Sequence, residues 1–373
     1  VNSNAVLYQG TYQLTVYGSM TNNGTITTVG ATSFSTTAAT TSTVNTGSSK
    51  MDSVIFVGTG TIVIGSNMNV DGGITISSGV TVQSGSAVNI TTGGNWTNNG
   101  TFTPSTGTVL LNGTTKQTIG GTGTLSFYNL TLNNTGTAGN DIITLNKAAT
   151  VNNNLTLTDG ILATSSSNLL TLTNSSSTAT TGGNSTGPSF IDGPIRWNGL
   201  NGAGPFIFPT GDTTKWARVA VSNVTSPTDF TCEYFKAPYA HISNADLSTV
   251  VTPTLSTLSG KENWDVDRTL GTGSANVTLY WEDAAASGIN DCSHLRVAHY
   301  TSGKWQNEGG SATGTCTGNG SGSITGGSQS TFSPETFGGG DGSGGSGGID
   351  QLPIELLYFN ASFNCASTAI KWS

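Results

Sequence analysis

Charge is what this sequence has least of. Only 9% of its 373 residues are Asp, Glu, Lys or Arg, against roughly 25% in ordinary soluble domains. The shortage is sharpest on the N-terminal side. Residues 1–180 hold the cations Lys50, Lys116 and Lys147 and the carboxylates Asp52, Asp71, Asp141 and Asp159, with no Arg, His or Glu. Glycoside cleavage needs paired carboxylates, and proton transfer needs a positioned acid or base. Four scattered aspartates supply neither, and Asp71-Gly72-Gly73 reads as a turn rather than a calcium loop. The formal net charge is −8, and no basic stripe marks a nucleic-acid interface. No apolar run reaches the roughly 18 residues of a membrane span. No charged and apolar leader opens the chain at Val1, so a signal peptide is read as absent or already removed. No two cysteines have the CxxC spacing of a zinc or redox site.

What the chain does have is a ladder of short alternating segments. Thr61-Ile62-Val63-Ile64, Ile74-Thr75-Ile76, Leu130-Thr131-Leu132 and Leu155-Thr156-Leu157 are typical rungs between Val54 and Leu172. The apolar residue returns at every second position, which is the period of a strand with one buried face. The rungs are divided by Gly, Asn, Ser and Thr at irregular intervals. We read an all-β chain whose N-terminal half is a right-handed parallel β-helix-like stalk with loops of variable length; a sandwich of short strands is the alternative. Ile62, Ile64, Ile74, Ile76, Leu130, Leu132, Leu155 and Leu157 should point inward. Thr21-Asn22-Asn23-Gly24-Thr25 recurs as Thr97-Asn98-Asn99-Gly100-Thr101. This is an internal repeat whose Asn-Gly is expected to make a tight turn with positive φ. Thr32 to Ser49 has little apolar content and reads as a loop or a weak rung.

Near Thr180–Pro188 the composition changes. Large aromatics and charges appear in longer alternating runs such as Phe230-Thr231-Cys232-Glu233-Tyr234 and Val277-Thr278-Leu279-Tyr280-Trp281. These suit an antiparallel β-sandwich with Phe206, Phe208, Trp264, Trp281 and Trp305 in its core. The chain thus divides into a stalk at 1–185, a sandwich at 186–337, a Gly/Ser-rich linker at 338–351 and an apolar strand tail at 352–373. Cys292 and Cys316 flank a strand-turn-strand pattern and are either a disulfide or two buried thiols. Asp265 and Asp267, with Glu262 near, are the one paired-carboxylate pattern, and they read as the solvent face of a strand carrying Trp264 and Val266 inward. His294 and His299 have odd spacing and face opposite sides, so they cannot share a metal.

Several segments carry a resemblance. Phe208-Pro209-Thr210-Gly211-Asp212, Glu262-Asn263-Trp264, Val277 to Trp281, Leu295-Arg296-Val297-Ala298 with Trp305, and Phe332-Ser333-Pro334 follow one another in order. From Gly193 onward, about half the chain, this resembles a module of large surface proteins exported by the bacterial type IX secretion system. Glu335 stands where that module has an aromatic. Leu352 to Phe359 resembles the start of the Ig-like segment that precedes the sorting domain in such proteins. The resemblance implies a secreted or surface-attached, adhesin-like protein with no assigned catalytic site.

The expected function is a non-enzymatic extracellular structural or adhesive surface protein, with no catalytic, cofactor-binding or metal residue assigned. One rival is a filament subunit joined by strand donation, in which Ile354, Leu356, Leu357 and Phe359 would add to a neighbour's sheet. The other is a carbohydrate-binding or carbohydrate-cleaving module. The expected partners are neighbouring copies or surface glycans, with no nucleic acid and no membrane span. Because Lys371-Trp372-Ser373 breaks off an alternating run, the chain reads as part of a longer polypeptide.

Overall fold

The computed structural model describes residues 1–184, 188–250, 254–340, 348–349, 359–364 and 367–372. Stacked parallel strands in the N-terminal half form a β-solenoid of about 10 turns. One coil runs Ser53–Gly58, Thr61–Ile64 and Met68–Val70, and returns to the first face at Ile74–Ile76. Each rung alternates as its sequence does, and all eight residues expected inside are buried. On the first face Val54, Ile74, Trp96 and Ile119 stand in register. Coil length varies, from 18 residues between Leu14 and Thr32 to 29 between Leu162 and Ile191. The surplus lies in the connections, so the irregular spacing of the ladder does not disturb the stacking. In Leu125–Asn133 and Ala149–Asp159, two rungs fuse into one strand that turns a corner, with a register shift after Phe127.

The repeated Thr-Asn-Asn-Gly-Thr segments are corners, but not of the expected kind. Asn22 and Asn98 are buried. The Oδ1 of each accepts from the amide two residues on, Gly24 and Gly100, at 3.1 Å. Their Nδ2 groups donate to the next coil, at Thr46 O (2.9 Å) and Thr124 O (2.8 Å). Asn134 repeats the device outside the motif, accepting from Gly136 N at 3.0 Å and donating to Thr115 O at 2.7 Å. One side chain thus closes a local Asx turn and ties two coils together. The glycines do not supply positive φ here. They admit neighbouring backbone: a Cβ on Gly100 would stand 2.4 Å from Ser77 O, and one on Gly24 would stand 2.4 Å from Ala5 O.

Thr32 to Ser49 is also corrected. It contains two full rungs, Ala31–Thr36 and Thr41–Asn45. Hydroxyl side chains fill part of the interior there: Thr32, Thr36, Ser42, Thr46 and Ser49 are buried. Ser49 accepts from Asn22 Nδ2 and from Ile26 N, and Thr46 donates to Asn67 O. A buried hydroxyl is tolerated when bonded, so low apolar content did not make a loop.

Strand pairing crosses the point where a boundary was expected. Leu170–Leu172 pairs in parallel with Ile195 to Trp197. The same strand, Ile195–Gly202, pairs antiparallel with Val224–Phe235. From there the sheet runs on through Asn263–Leu270, Glu335–Gly339 and Leu295–Thr301 to Lys304–Asn307. A second antiparallel sheet contains Phe206–Phe208, Val219–Ser222, Ala275–Trp281, Gly322–Gln329 and Ala312–Gly314. Aromatic rings join the two sheets: Trp197 meets Phe206 and Phe208 edge-on, and Trp281 meets Phe337.

The expected linker opens with residues that lie in a strand. Gly338 and Gly339 are strand residues paired with Arg296 and Leu295, and a Cβ on Gly338 would press on Leu255 at 2.8 Å. In the tail, Phe359–Asn364 pairs antiparallel with Ser367–Trp372 of the same chain, Phe359 opposite Trp372. Ile354, Leu356 and Leu357 lie outside the described residues. Among the described residues, no helix is long and apolar enough to cross a membrane.

The two asparagines of the repeat should therefore differ. Asn98→Ala orphans the Gly100 amide and the Thr124 carbonyl and should cost about 1–3 kcal/mol by denaturant titration. Asn99→Ala loses only exposed bonds, from Thr122 N and Thr122 Oγ1, and should cost less than Asn98→Ala. Equal losses would contradict the corner assignment.

Candidate functional site

The paired carboxylates Asp265 and Asp267 project from the outer face of Asn263–Leu270, while Trp264 and Val266 are fully buried beneath them. Glu262 does not join them. It is three residues from Asp265, which puts it on the opposite face of an extended chain, and it is buried. The residue that Asp265 does meet is Glu233, directly opposite on the neighbouring strand. Like charges in that position repel. Burial, then the charges of Asp265, Asp192, Asp212 and Asp267, push Glu233 from an ordinary 4.5 to about 7. Asp265 is raised too, by burial first and Asp267 second. Glu233 was visible in the alternating run Phe230 to Tyr234, but its acidic neighbours come from three separate stretches. Among the described residues, no group of three or more His, Cys, Asp or Glu side chains is placed to hold a metal ion.

Glu262 instead organises a basic site. Its Oε2 accepts from Lys215 Nζ at 2.6 Å and from Tyr234 OH at 2.7 Å. Lys215 also donates to Ser287 Oγ at 3.1 Å. Arg218 lies between the rings of Trp216 and Tyr280, 4.5 Å from each centroid, and pairs with Glu282 at 3.3 Å. Beside these groups opens a cavity of about 510 Å³, whose lining includes Lys215, Lys236, Lys261, Trp216, Glu282 and Asp283. The lysines come from a hairpin turn, the end of a long strand and the approach to another strand. No sequence spacing links them, so only the fold reveals the site.

The remaining sequence candidates fall elsewhere. Cys292 and Cys316 form a disulfide with Cα atoms 5.4 Å apart. Cys232 is a buried free thiol, and Cys365 lies outside the described residues. Asp71 is an exposed turn residue paired with Lys50 at 3.1 Å. His294 bonds Asp291. His299 is buried and bonds Glu308 at 3.3 Å. Glu335 is fully buried opposite His299 and Trp264 and accepts from Gln329. Burial drives its carboxyl well above the ordinary range.

Two outcomes follow. Glu233 binds its proton more tightly in the folded chain than in the unfolded one. Its contribution favours folding below pH 4.5 and is lost as pH rises towards about 7. Glu233→Gln should therefore raise the unfolding midpoint at pH 8 and flatten its pH dependence between 5 and 8, read by denaturant titration; an unchanged pH profile would contradict the acidic cluster. Reduction of Cys292–Cys316, a separation of 24 residues, should lower stability by about 3.5 kcal/mol on the loop-entropy account, measured with and without reductant. Comparison with protein-family models, with curated proteins and with solved structures finds no match for this chain.

Proposed function

We propose that this chain is a non-enzymatic structural and adhesive element of an extracellular surface. The observation that carries the reading is the unbroken hydrogen-bonded sheet running from the solenoid into the antiparallel body. A spacer that must present a binding surface away from a cell needs its head joined to its stalk without a hinge. At about 4.8 Å per coil, the roughly 10 turns span on the order of 50 Å. The disulfide supports an oxidising compartment. The solenoid's sparse charge supports a spacer role rather than chemistry along its length, and the type IX-like motifs from Gly193 onward agree with surface export.

The test is a panel of soluble polysaccharides incubated with the purified chain, alongside adhesion of chain-coated beads to glycan-bearing surfaces. Bead adhesion without release of reducing ends is the expected result. Turnover of any panel member, abolished by Glu233→Gln or Asp265→Asn, would overturn the reading in favour of a carbohydrate-cleaving module.

A further inference from the structure

We propose that the cavity beside Lys215 is a binding site for a single carboxylated sugar, a uronic-acid unit of an acidic polysaccharide. The proposal rests on the adhesive reading above and names its ligand class. Size comes first. About 510 Å³ lies within the roughly 300–1,000 Å³ of small-ligand sites, which suits one or two sugar rings.

Charge then narrows the class. Lys215 is neutralised by buried Glu262, and Glu282 is neutralised by Arg218. Lys236 and Lys261 have no ion-pair partner among the described residues. Against these two free ammonium groups stands Asp283, whose Oδ1 already accepts from Ala286 N at 2.9 Å. The balance is one net positive charge. A single carboxylate answers it; a phosphate dianion would exceed it by one charge and meet Asp283, and a neutral sugar would leave both lysines unanswered. The remaining polar lining offers two acceptors. The second oxygen of Asp283 and the hydroxyl of Thr214, both on the cavity wall, can take hydrogen bonds from sugar hydroxyls.

The frame is already rigid. Lys215 is held at both Glu262 and Ser287. The hairpin carrying it turns through Thr213 at φ 57°, a left-handed conformation that costs a β-branched residue energy. Thr213 N is tied to Asp192 Oδ2 at 3.2 Å. Arg218 already occupies a face of Trp216, so recognition works through charge and hydrogen bonds rather than ring stacking. Binding should weaken as salt rises.

The experiment is calorimetric titration of the full chain with trigalacturonate, with its methyl ester, and with trigalacturonate in the presence of inorganic phosphate. Binding of the acid form is expected, with the ester weaker by roughly tenfold or more, the worth of a charge-assisted hydrogen bond. Phosphate should not compete. The double variant Lys236→Ala/Lys261→Ala should lose at least roughly tenfold in affinity with an unchanged thermal midpoint, because both side chains are exposed. Lys50→Ala, on the solenoid, should bind as the parent does. Absence of binding, equal binding of the ester, competition by phosphate, or full affinity in the double variant would each overturn the site. Any of these leaves the structural reading standing, since polysaccharide turnover alone bears on that.

Discussion

The structure depends on coil-to-coil register. A parallel solenoid satisfies its backbone by pairing each coil with the next, and its side chains alternate between a narrow interior and solvent. A slip of one residue would turn an entire rung inside out. Apolar alternation alone resists such a slip, but the corners are where it would begin, because chain direction changes there and backbone groups lose their strand partners. Buried asparagine answers that weakness. Asn22, Asn98 and Asn134 each satisfy a turn amide in their own coil and a carbonyl in a neighbouring one. An asparagine shifted by one position would leave a buried amide unpaired, so the polar group specifies register at the points where packing is least informative.

The same sheet then changes its mode of pairing without ending. Ile195 to Trp197 accepts a parallel neighbour on one edge and an antiparallel one on the other. Among the described residues, this face of the solenoid ends on no free edge where it meets the antiparallel body, which removes a site where unpaired strands would recruit other chains. The antiparallel body packs more large rings into its core than the solenoid does, among them Trp197, Trp264, Trp281 and Trp305. It also buries Glu335, Gln329 and His299 between apolar side chains. The Glu335 carboxyl accepts from Gln329, and its burial pushes its pKa well above the ordinary range.

Much of the solenoid was legible because one physical rule, alternation, acts locally and repeats. The eight inward residues from Ile62 to Leu157 needed no knowledge of their partners. The errors came where a local signal had a non-local cause. Asn-Gly suggested a turn made by backbone conformation, yet Gly100 is required because Ser77 approaches from the previous coil. Thr32 to Ser49 was too polar to read as core, yet its hydroxyls bond to side chains and backbone of neighbouring coils. The change in composition near Pro188 was real, but it marks a change in core chemistry and not a break in the sheet. The basic cavity was not legible at all. Lys215, Lys236 and Lys261 are ordinary surface residues in sequence, and Glu262 was grouped with Asp265 when parity already separated them.

The central claim is that the solenoid and the antiparallel body share one continuous sheet. Native-state amide hydrogen exchange, followed by mass spectrometry from Leu170 to Tyr234, tests it most directly. The account predicts that Ile195 to Trp197 are protected as strongly as Leu170–Leu172 on one side and Phe230 to Tyr234 on the other. Rapid exchange at Ile195 to Trp197 between two protected blocks would contradict it.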